Sequence, residues 1–169
     1  IELAEGGLRF QETTLLLGSE IEVYDSYCHG PIHVLAYFPT VEKMKAFSDW
    51  MSNHVKNISL SSQRIYVEGR ALQQKVYEYD GLFVPAHVFT PFKSLYGKGV
   101  KRSLTEVFDP NYIDAIELGL SSDTQMVRNI KELQRYAFLT NSDAHSLGKM
   151  AREYQKLTLK DANFNELKK

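Results

Sequence analysis

Imidazole and carboxylate side chains occur in this sequence at the ends of short apolar runs. Glu20 ends TLLLGSE, His33 begins HVLAYF, His87 ends LFVPAH, and Asp143 with His145 follows YAFLT. Asp143 and His145 are two residues apart, so in extended backbone both side chains point to the same face. A carboxylate beside an imidazole is a common ligand pair for Zn, Mn or Fe. The pattern therefore predicts binding of a divalent metal.

Each of these residues, taken alone, also has a structural explanation. A single His near a strand end is often just a hydrogen-bonded residue, and His29 and His54 are interpreted in that way. Glu22 is explained equally well as an outward carboxylate on a half-exposed strand. Glu117, at the end of DAIELG, is placed for a site, although acids at strand ends also cap loops. Because several residues of ligand type lie at the ends of predicted strands, a metal site is favoured over separate structural roles.

A second feature is a basic loop next to His87. No acid occurs between residues 81 and 105, and the segment FTPFKSLYGKGVKR carries cations interleaved with aromatic rings: Lys93, Lys98, Lys101, Arg102, Phe89, Phe92 and Tyr96. Basic groups near aromatic faces suit a phosphate-bearing substrate or an unstacked base. The alternative is a solvated loop whose rings pack on the core. Because the loop leaves directly from His87, its cations would border a metal site there.

The elements that must position these residues alternate between strands and helices. Apolar runs predict strands near 15–23, 33–38, 82–84, 113–118 and 136–140. Helical spacing predicts helices from Thr40 to about Val55 and over 69–79, while 57–67 is left unassigned. This order predicts an α/β fold with mostly parallel strands, in which functional residues lie at the carboxyl ends of strands.

Local signals refine the ends of the elements. Ser103 with Glu106 predicts a capping box, and Ser122 with Gln125 predicts another helix start. In the helix after Ser122, the side chains expected to face the core are Met126, Ile130 and Leu133. The first eight residues resemble the end of a helix that stops at Gly6-Gly7.

Composition excludes several classes of protein. The chain has 169 residues, with 20 basic and 21 acidic side chains, so a globally basic nucleic-acid binder is excluded. A hydrophobic content of 43% supports one domain with a sizeable core. The lone Cys28 cannot form a disulfide framework, which indicates a reducing, cytoplasmic compartment. No run approaches the ~20 apolar residues of a membrane helix, so no membrane partner is expected.

The strings GSEIE, IHVLAYFP, VPAHVFTPFKSLYG, ELGLSSD and TNSDAHS resemble the later motifs of the polymerase and histidinol phosphatase (PHP) superfamily. The last three resemble the endonuclease Q branch, and the likeness extends to about Arg152. The resemblance implies a distorted seven-stranded (β/α)7 barrel that holds up to three divalent ions (Zn, Mn, Fe or Mg). For the endonuclease Q branch it implies hydrolysis of a DNA phosphodiester beside a deaminated or otherwise damaged base.

The resemblance also assigns roles to single residues. It matches the metal ligands of the superfamily to Glu20, His33, His87, Asp143 and His145. Of these, Glu20 and Asp143 are expected to be catalytic, with Glu20 bridging two ions. Charge, aromatic rings and position, and not the resemblance, give the residues expected to contact the substrate: Lys93, Lys98, Lys101, Arg102, Phe92, Tyr96 and Glu117.

One superfamily motif has no counterpart here. PHP proteins open with a His-x-His motif on the first strand, and nothing in this sequence matches it. Residues 1–169 are therefore expected to form one partial barrel domain without an internal boundary, whose first strands precede Ile1. Exposed sheet edges in such a barrel would favour a homo-oligomer.

Two other functions remain open at this point. One is a phosphomonoesterase for a small metabolite, whose site would close over one phosphate instead of opening as a groove lined by cations. The other is a non-catalytic protein that binds nucleic acid or a partner, which should carry less than one metal ion per chain.

Overall fold

The computed structural model describes residues 2–4, 6–60 and 63–169. In this part of the chain the strands are β1 (Glu2–Ala4), β2 (Gly7–Phe10), β3 (Thr13–Leu15), β4 (Leu17–Val23), β5 (Ile32–Phe38), β6 (Arg64–Ile65), β7 (Leu82–Pro85), β8 (Ala115–Glu117) and β9 (Ala137–Leu139). The α-helices are α1 (Val41–Ser52), α2 (Gly69–Glu78), α3 (Thr124–Val127) and α4 (Phe164–Leu167). The mixed α/β class predicted from the sequence is confirmed.

The direction of β5 corrects the prediction of mostly parallel strands. The central sheet has the order β6-β4-β5-β7, and β5 runs antiparallel to both β4 and β7. The physical reason is the short connection 24–31, which contains no crossover helix and so returns the chain antiparallel. Only β4–β6 and β8–β9 are parallel pairs among the described strands. In that part of the chain the strand pairing forms three separate sheets and not a closed barrel.

The predicted helix end in residues 1–8 is also wrong for the residues that are described. Strands β1, β2 and β3 form an antiparallel sheet, and Gly6 provides the turn between the first two with φ of 70°. A left-handed backbone of this kind is accessible to glycine without steric cost. Residues 1 and 5 lie outside the described part, as do residues 61 and 62 of the segment left unassigned.

The two longer helices follow the sequence signals. Helix α1 begins after Thr40, whose hydroxyl oxygen accepts the N–H of Lys43, and it buries Phe47 and Met51. Ser103 and Glu106 form the predicted capping box around a 3-10 turn. These contacts satisfy N–H groups that a helix start would otherwise leave unpaired.

The predicted helix after Ser122 is shorter than expected. Asp123, and not Ser122, caps α3, because the Ser122 hydroxyl donates instead to the carbonyl of Leu118. The helix ends at Val127, so Met126 is 65% exposed and does not face the core. Leu133 still reaches the core, from a following 3-10 turn.

The main core lies between the central sheet, the two long helices and the segment before β8. Its largest fully buried side chains include Phe38, Phe47, Phe83, Phe108 and Leu72. The ring of Phe108 meets that of Phe83 edge to face at 5.2 Å and also packs over Gly69. None of the described helices is both long and apolar enough to cross a membrane.

We expect Phe108→Ala to lower the free energy of unfolding by about 3–5 kcal/mol, because the ring is fully buried and its removal leaves a cavity. Phe138→Ala should cost clearly less, since this ring in β9 is only half-buried. Urea unfolding followed by circular dichroism measures both variants. Equal losses would contradict the described core.

Candidate metal centre

Three of the predicted ligands meet in one cluster. The ligand atoms of Glu20, His33 and His87 all lie within 4.8 Å of one another. Glu20 Oε1 is 2.7 Å from His33 Nδ1 and 3.2 Å from His87 Nε2. The two rings meet edge to face, with their centroids 5.2 Å apart. One carboxylate oxygen therefore contacts both imidazoles.

The reversed strand β5 explains why these residues meet. Strands β4 and β7 run in the same direction and β5 runs against them, so the start of β5 lies beside the ends of its neighbours. His33 is paired with Glu22 in register, and Glu20 shares the face of Glu22 because side chains alternate along a strand. His87 follows β7 by two residues. A ligand at the start of a strand thus reaches the same edge as ligands at strand ends.

The backbone of His87 is held in an uncommon conformation by the end of β8. Its φ is 32°, and its N–H donates to Glu117 Oε2 at 2.9 Å. The N–H of Val88 donates to the Glu117 carbonyl at 3.0 Å. Gly119 passes so close that a Cβ there would lie 2.6 Å from His87 Cβ. The turn after β7 can form only because position 119 has no side chain.

The electrostatics of the cluster favour a bound cation. Burial disfavours the charged ring of His87, but the hydrogen bond that the ring donates to Glu20 and the charges of Glu117, Glu20 and Asp143 outweigh burial and raise its pKa. Two buried nitrogens, His33 Nε2 and His87 Nδ1, have no hydrogen-bond partner among the described residues. Two imidazoles and a carboxylate in a negative field fit the ligand preferences of Zn, Mn or Fe.

Glu22, which the sequence left open, is buried beside the cluster. Its Oε1 accepts from Nε and Nη2 of Arg64, each at 2.7 Å, while Oε2 lies 3.5 Å from Lys93 Nζ and 3.6 Å from His33 Nε2. Burial alone would raise the pKa of Glu22, but Arg64, Lys93 and His33 together lower it. Glu22 thus contacts a candidate ligand on one side and the basic loop on the other.

Asp143 and His145 do not join the cluster in this structure. The His145 side chain is 73% exposed, and its Nδ1 lies 3.0 Å from the Asp143 carbonyl oxygen. Strand β9 ends at Leu139, and Asp143 has φ of 44°, so the extended backbone that would align the pair is absent. Asp143 still acts on the charge of His87 and Glu117. Of the five residues expected to converge, three do so, and the ligand roles of Asp143 and His145 stay predictions.

The predicted basic loop divides into exposed and supporting side chains. The cations Lys93, Lys98, Lys101 and Arg102 are exposed, and the Phe92 ring is 74% exposed. Tyr96, by contrast, is half-buried: its ring stacks on Phe89 at 5.2 Å and its hydroxyl donates to Glu132. Burial and Glu132 raise the pKa of Tyr96. The Phe92 ring is therefore open to solvent, whereas the contacts of Tyr96 with Phe89 and Glu132 hold the loop against the rest of the protein.

The structure shows Glu117 inside the protein and adds two residues to the surroundings of the cluster. Glu117 is only 4% exposed and accepts hydrogen bonds from Asn141 Nδ2 at 2.7 Å and from the N–H of His87, so both of its oxygens are bonded to protein groups, and its contact with a substrate stays a prediction. Asn141 lies in the string TNSDAHS, but its residue type carries no sequence signal of a functional role. Arg64 lies in the segment left unassigned, where no sequence signal pointed to it.

Comparison with known proteins adds relatives and solved structures, although no family model matches. The chain is 63% identical over 165 residues to the uncharacterized protein YqxK of Bacillus subtilis, covering 98% of this chain and 43% of that protein. It is 38% identical over 90 residues to the uncharacterized protein MJ0043 of Methanocaldococcus jannaschii, covering 48% of this chain and 11% of that protein. The chain thus spans less than half the length of these relatives.

Two solved structures resemble the whole chain. One is the lesion-specific endonuclease PfuEndoQ from Pyrococcus furiosus, with a TM-score of 0.85 and 29% identity over 99% of this chain and 41% of that one. The other is endonuclease Q in complex with a 27-mer duplex substrate that has an abasic lesion at the active site, with a TM-score of 0.86 and 29% identity over 99% and 42% of the two chains. The chain therefore has an endonuclease Q-like fold.

Proposed function

We propose that this chain carries part of the active site of a metal-dependent phosphoesterase of the PHP superfamily. Its substrate is DNA, which it cleaves in the manner of endonuclease Q at damaged or deaminated bases. The observation that carries the proposal is the Glu20, His33 and His87 cluster within an endonuclease Q-like fold. The similar structure that holds an abasic duplex at its active site supports DNA as the substrate.

The reaction would be hydrolysis of one phosphodiester bond. Water adds to phosphorus, one P–O bond breaks, and the products are a phosphate monoester end and a hydroxyl end. A divalent ion, when bound, lowers the pKa of water and polarises phosphoryl oxygens. Zn, Mn, Fe and Mg are all candidates, and the superfamily resemblance allows up to three ions.

The residues of the chain would hold the ion and orient the water. Glu20, whose Oε1 contacts both imidazoles, would be the carboxylate ligand of the ion. His33 and His87 would complete the set on the buried side, and Asp143 with His145 would join from the loop after β9. The negative charge of Asp143 helps to raise the pKa of His87, so it adds to the field that favours a cation.

The basic loop would bind the DNA backbone. It leaves the cluster at His87, and Lys93 reaches back to Glu22 beside the candidate ligands. The other cations are spread along the loop on exposed positions, which fits an extended polyanion better than a single small phosphate. Phe92 would supply a stacking surface for an unstacked base.

A direct test compares two substrates with the full-length protein. Duplex DNA with one uracil, hypoxanthine or abasic position should be nicked in the presence of Mn²⁺ or Zn²⁺ and left intact in EDTA. Hydrolysis of a chromogenic phosphate monoester without nicking would support the metabolite phosphatase instead. Less than one bound ion per chain together with no turnover would indicate a non-catalytic protein.

We expect His87→Ala or Asp143→Ala to abolish cleavage while leaving the fold largely intact, because these side chains serve the ion and not the apolar core. Nicking of lesion-containing duplex and circular dichroism measure the two properties. His54→Ala is the control, since His54 packs on Trp50 in α1 and has no place in the cluster. Unchanged turnover in either variant would remove that residue from the site.

We expect Lys93→Ala with Lys98→Ala to lower the salt dependence of DNA binding. Each neutralised phosphate contributes about 0.9 to the slope of log affinity against log salt, so the slope should fall by up to ~2. Binding should weaken similarly for damaged and undamaged DNA, because phosphate contacts carry no base information. Fluorescence anisotropy over a range of salt concentrations measures the slope.

The matched control removes two exposed lysines outside the loop, Lys45→Ala with Lys160→Ala. This pair should leave the slope unchanged. Phe92→Ala should cost ~1–3 kcal/mol of binding with little change in slope if its ring stacks on a base. An unchanged slope in the Lys93 and Lys98 variant would mean that the loop is a solvated surface.

A further inference from the structure

Glu117 is a buried carboxylate whose two oxygens are both used inside the protein. Oε2 accepts the N–H of His87 at 2.9 Å, and Oε1 accepts Nδ2 of Asn141 at 2.7 Å. Hydrogen bonds to a charged acceptor are roughly twice as strong as neutral ones. The side chain therefore joins two chain segments that lie 54 positions apart, the turn after β7 and the loop after β9.

Each of the two bonds acts on a segment that carries candidate ligands. The first fixes the N–H of His87 itself, in a left-handed conformation that a non-glycine residue adopts only when its surroundings hold it there. The second holds Asn141, which precedes Asp143 by two residues. The Glu117 carboxylate thus holds both the turn after β7 and the loop after β9 by hydrogen bonds, and both segments carry candidate ligands.

A similar bond between a carboxylate and a backbone N–H lies at the opposite end of β8, away from the candidate metal site. Asp114 precedes β8 and accepts the N–H of Phe83 at 2.7 Å, as Glu117 accepts that of His87. Both carboxylates connect β7 to β8, but Glu117 is buried whereas the Asp114 side chain is exposed. Asp114 lies at the far end from Glu20, His33 and His87, so its bond serves the fold alone.

We propose that Glu117 is a positioning residue that sets His87 and the loop of Asp143 and His145 relative to one another for metal binding. This inference rests on the proposed function, because it presupposes an ion at the cluster. Glu117 acts through His87 and Asn141, and it contacts neither the ion nor the DNA.

The first test is Glu117→Gln, measured as metal affinity. The amide keeps the size of the side chain but has one acceptor oxygen and an NH₂ group, so one of the two N–H donors then faces another donor. Removing such a supporting group typically costs 10–100-fold in metal affinity. We expect that loss for Co²⁺ and Mn²⁺ by isothermal titration calorimetry, with a changed visible spectrum of the Co²⁺ form.

Asp114→Ala is the matched control. It removes the bond between an exposed carboxylate and a backbone N–H at the other end of the same strand. We expect Asp114→Ala to lower thermal stability but to leave the Co²⁺ affinity unchanged. This comparison separates positioning of the ligands from a general loss of stability.

A rescue variant sharpens the test. Combining Glu117→Gln with Asn141→Asp exchanges donor and acceptor, so the amide at 117 can donate to a carboxylate at 141 while its oxygen still accepts from His87. We expect the double variant to recover most of the Co²⁺ affinity, a non-additive result that neighbours in contact give. If Glu117→Gln does not fold, Asn141→Ala removes one of the two bonds from a less buried side chain and should show a smaller loss of affinity.

The outcomes distinguish this inference from the proposed function. A wild-type protein that binds no Co²⁺ or Mn²⁺ would overturn the proposed function. A wild-type protein that binds metal, with Glu117→Gln binding it equally well, would overturn the inference alone. Unchanged metal affinity with a raised KM for DNA in Glu117→Gln would instead place Glu117 on the substrate.

Discussion

A carboxylate oxygen shared by two imidazole rings is the contact on which the rest of the site depends. Glu20 Oε1 meets both His33 and His87, and the nitrogens on the far sides of the rings are buried without hydrogen-bond partners in the described part of the chain. Buried polar atoms are costly unless they are paired. A divalent ion at the cluster would be held by Glu20 and by one nitrogen of each ring, and the surrounding carboxylates supply a negative field that favours it.

The strands and turns around the cluster bring those three side chains together. Strand β5 runs against its neighbours, which brings a residue at its start to the edge where β4 and β7 end. The turn at His87 is held by the side chain and carbonyl of Glu117. On the other side, Glu22 contacts His33, Arg64 and Lys93. The basic loop is therefore linked to the site by the ion pair of Lys93 with Glu22, in addition to its covalent connection at His87.

Residue type and strand position were enough to predict the three clustered ligands, because apolar runs bounded by His or Glu are visible in the sequence. The direction of β5 was not predictable in the same way, since the period of a strand does not report its orientation. The pairing of Asp143 and His145 was inferred from extended backbone, and the left-handed φ of Asp143 removes that premise. The sequence shows that Glu117 lies at a strand end, but not its contacts, because His87 and Asn141 are distant from it in the chain.

The central claim is that Glu20, His33 and His87 together hold a divalent ion. Crystals of the full-length protein grown with Mn²⁺, with diffraction data collected near the manganese absorption edge, test it most directly. The account predicts an anomalous peak within coordination distance of Glu20 and of a ring nitrogen of both His33 and His87. A fully occupied Mn²⁺ elsewhere in the protein, with the Glu20 contacts to both rings unchanged and no peak at the cluster, would contradict it.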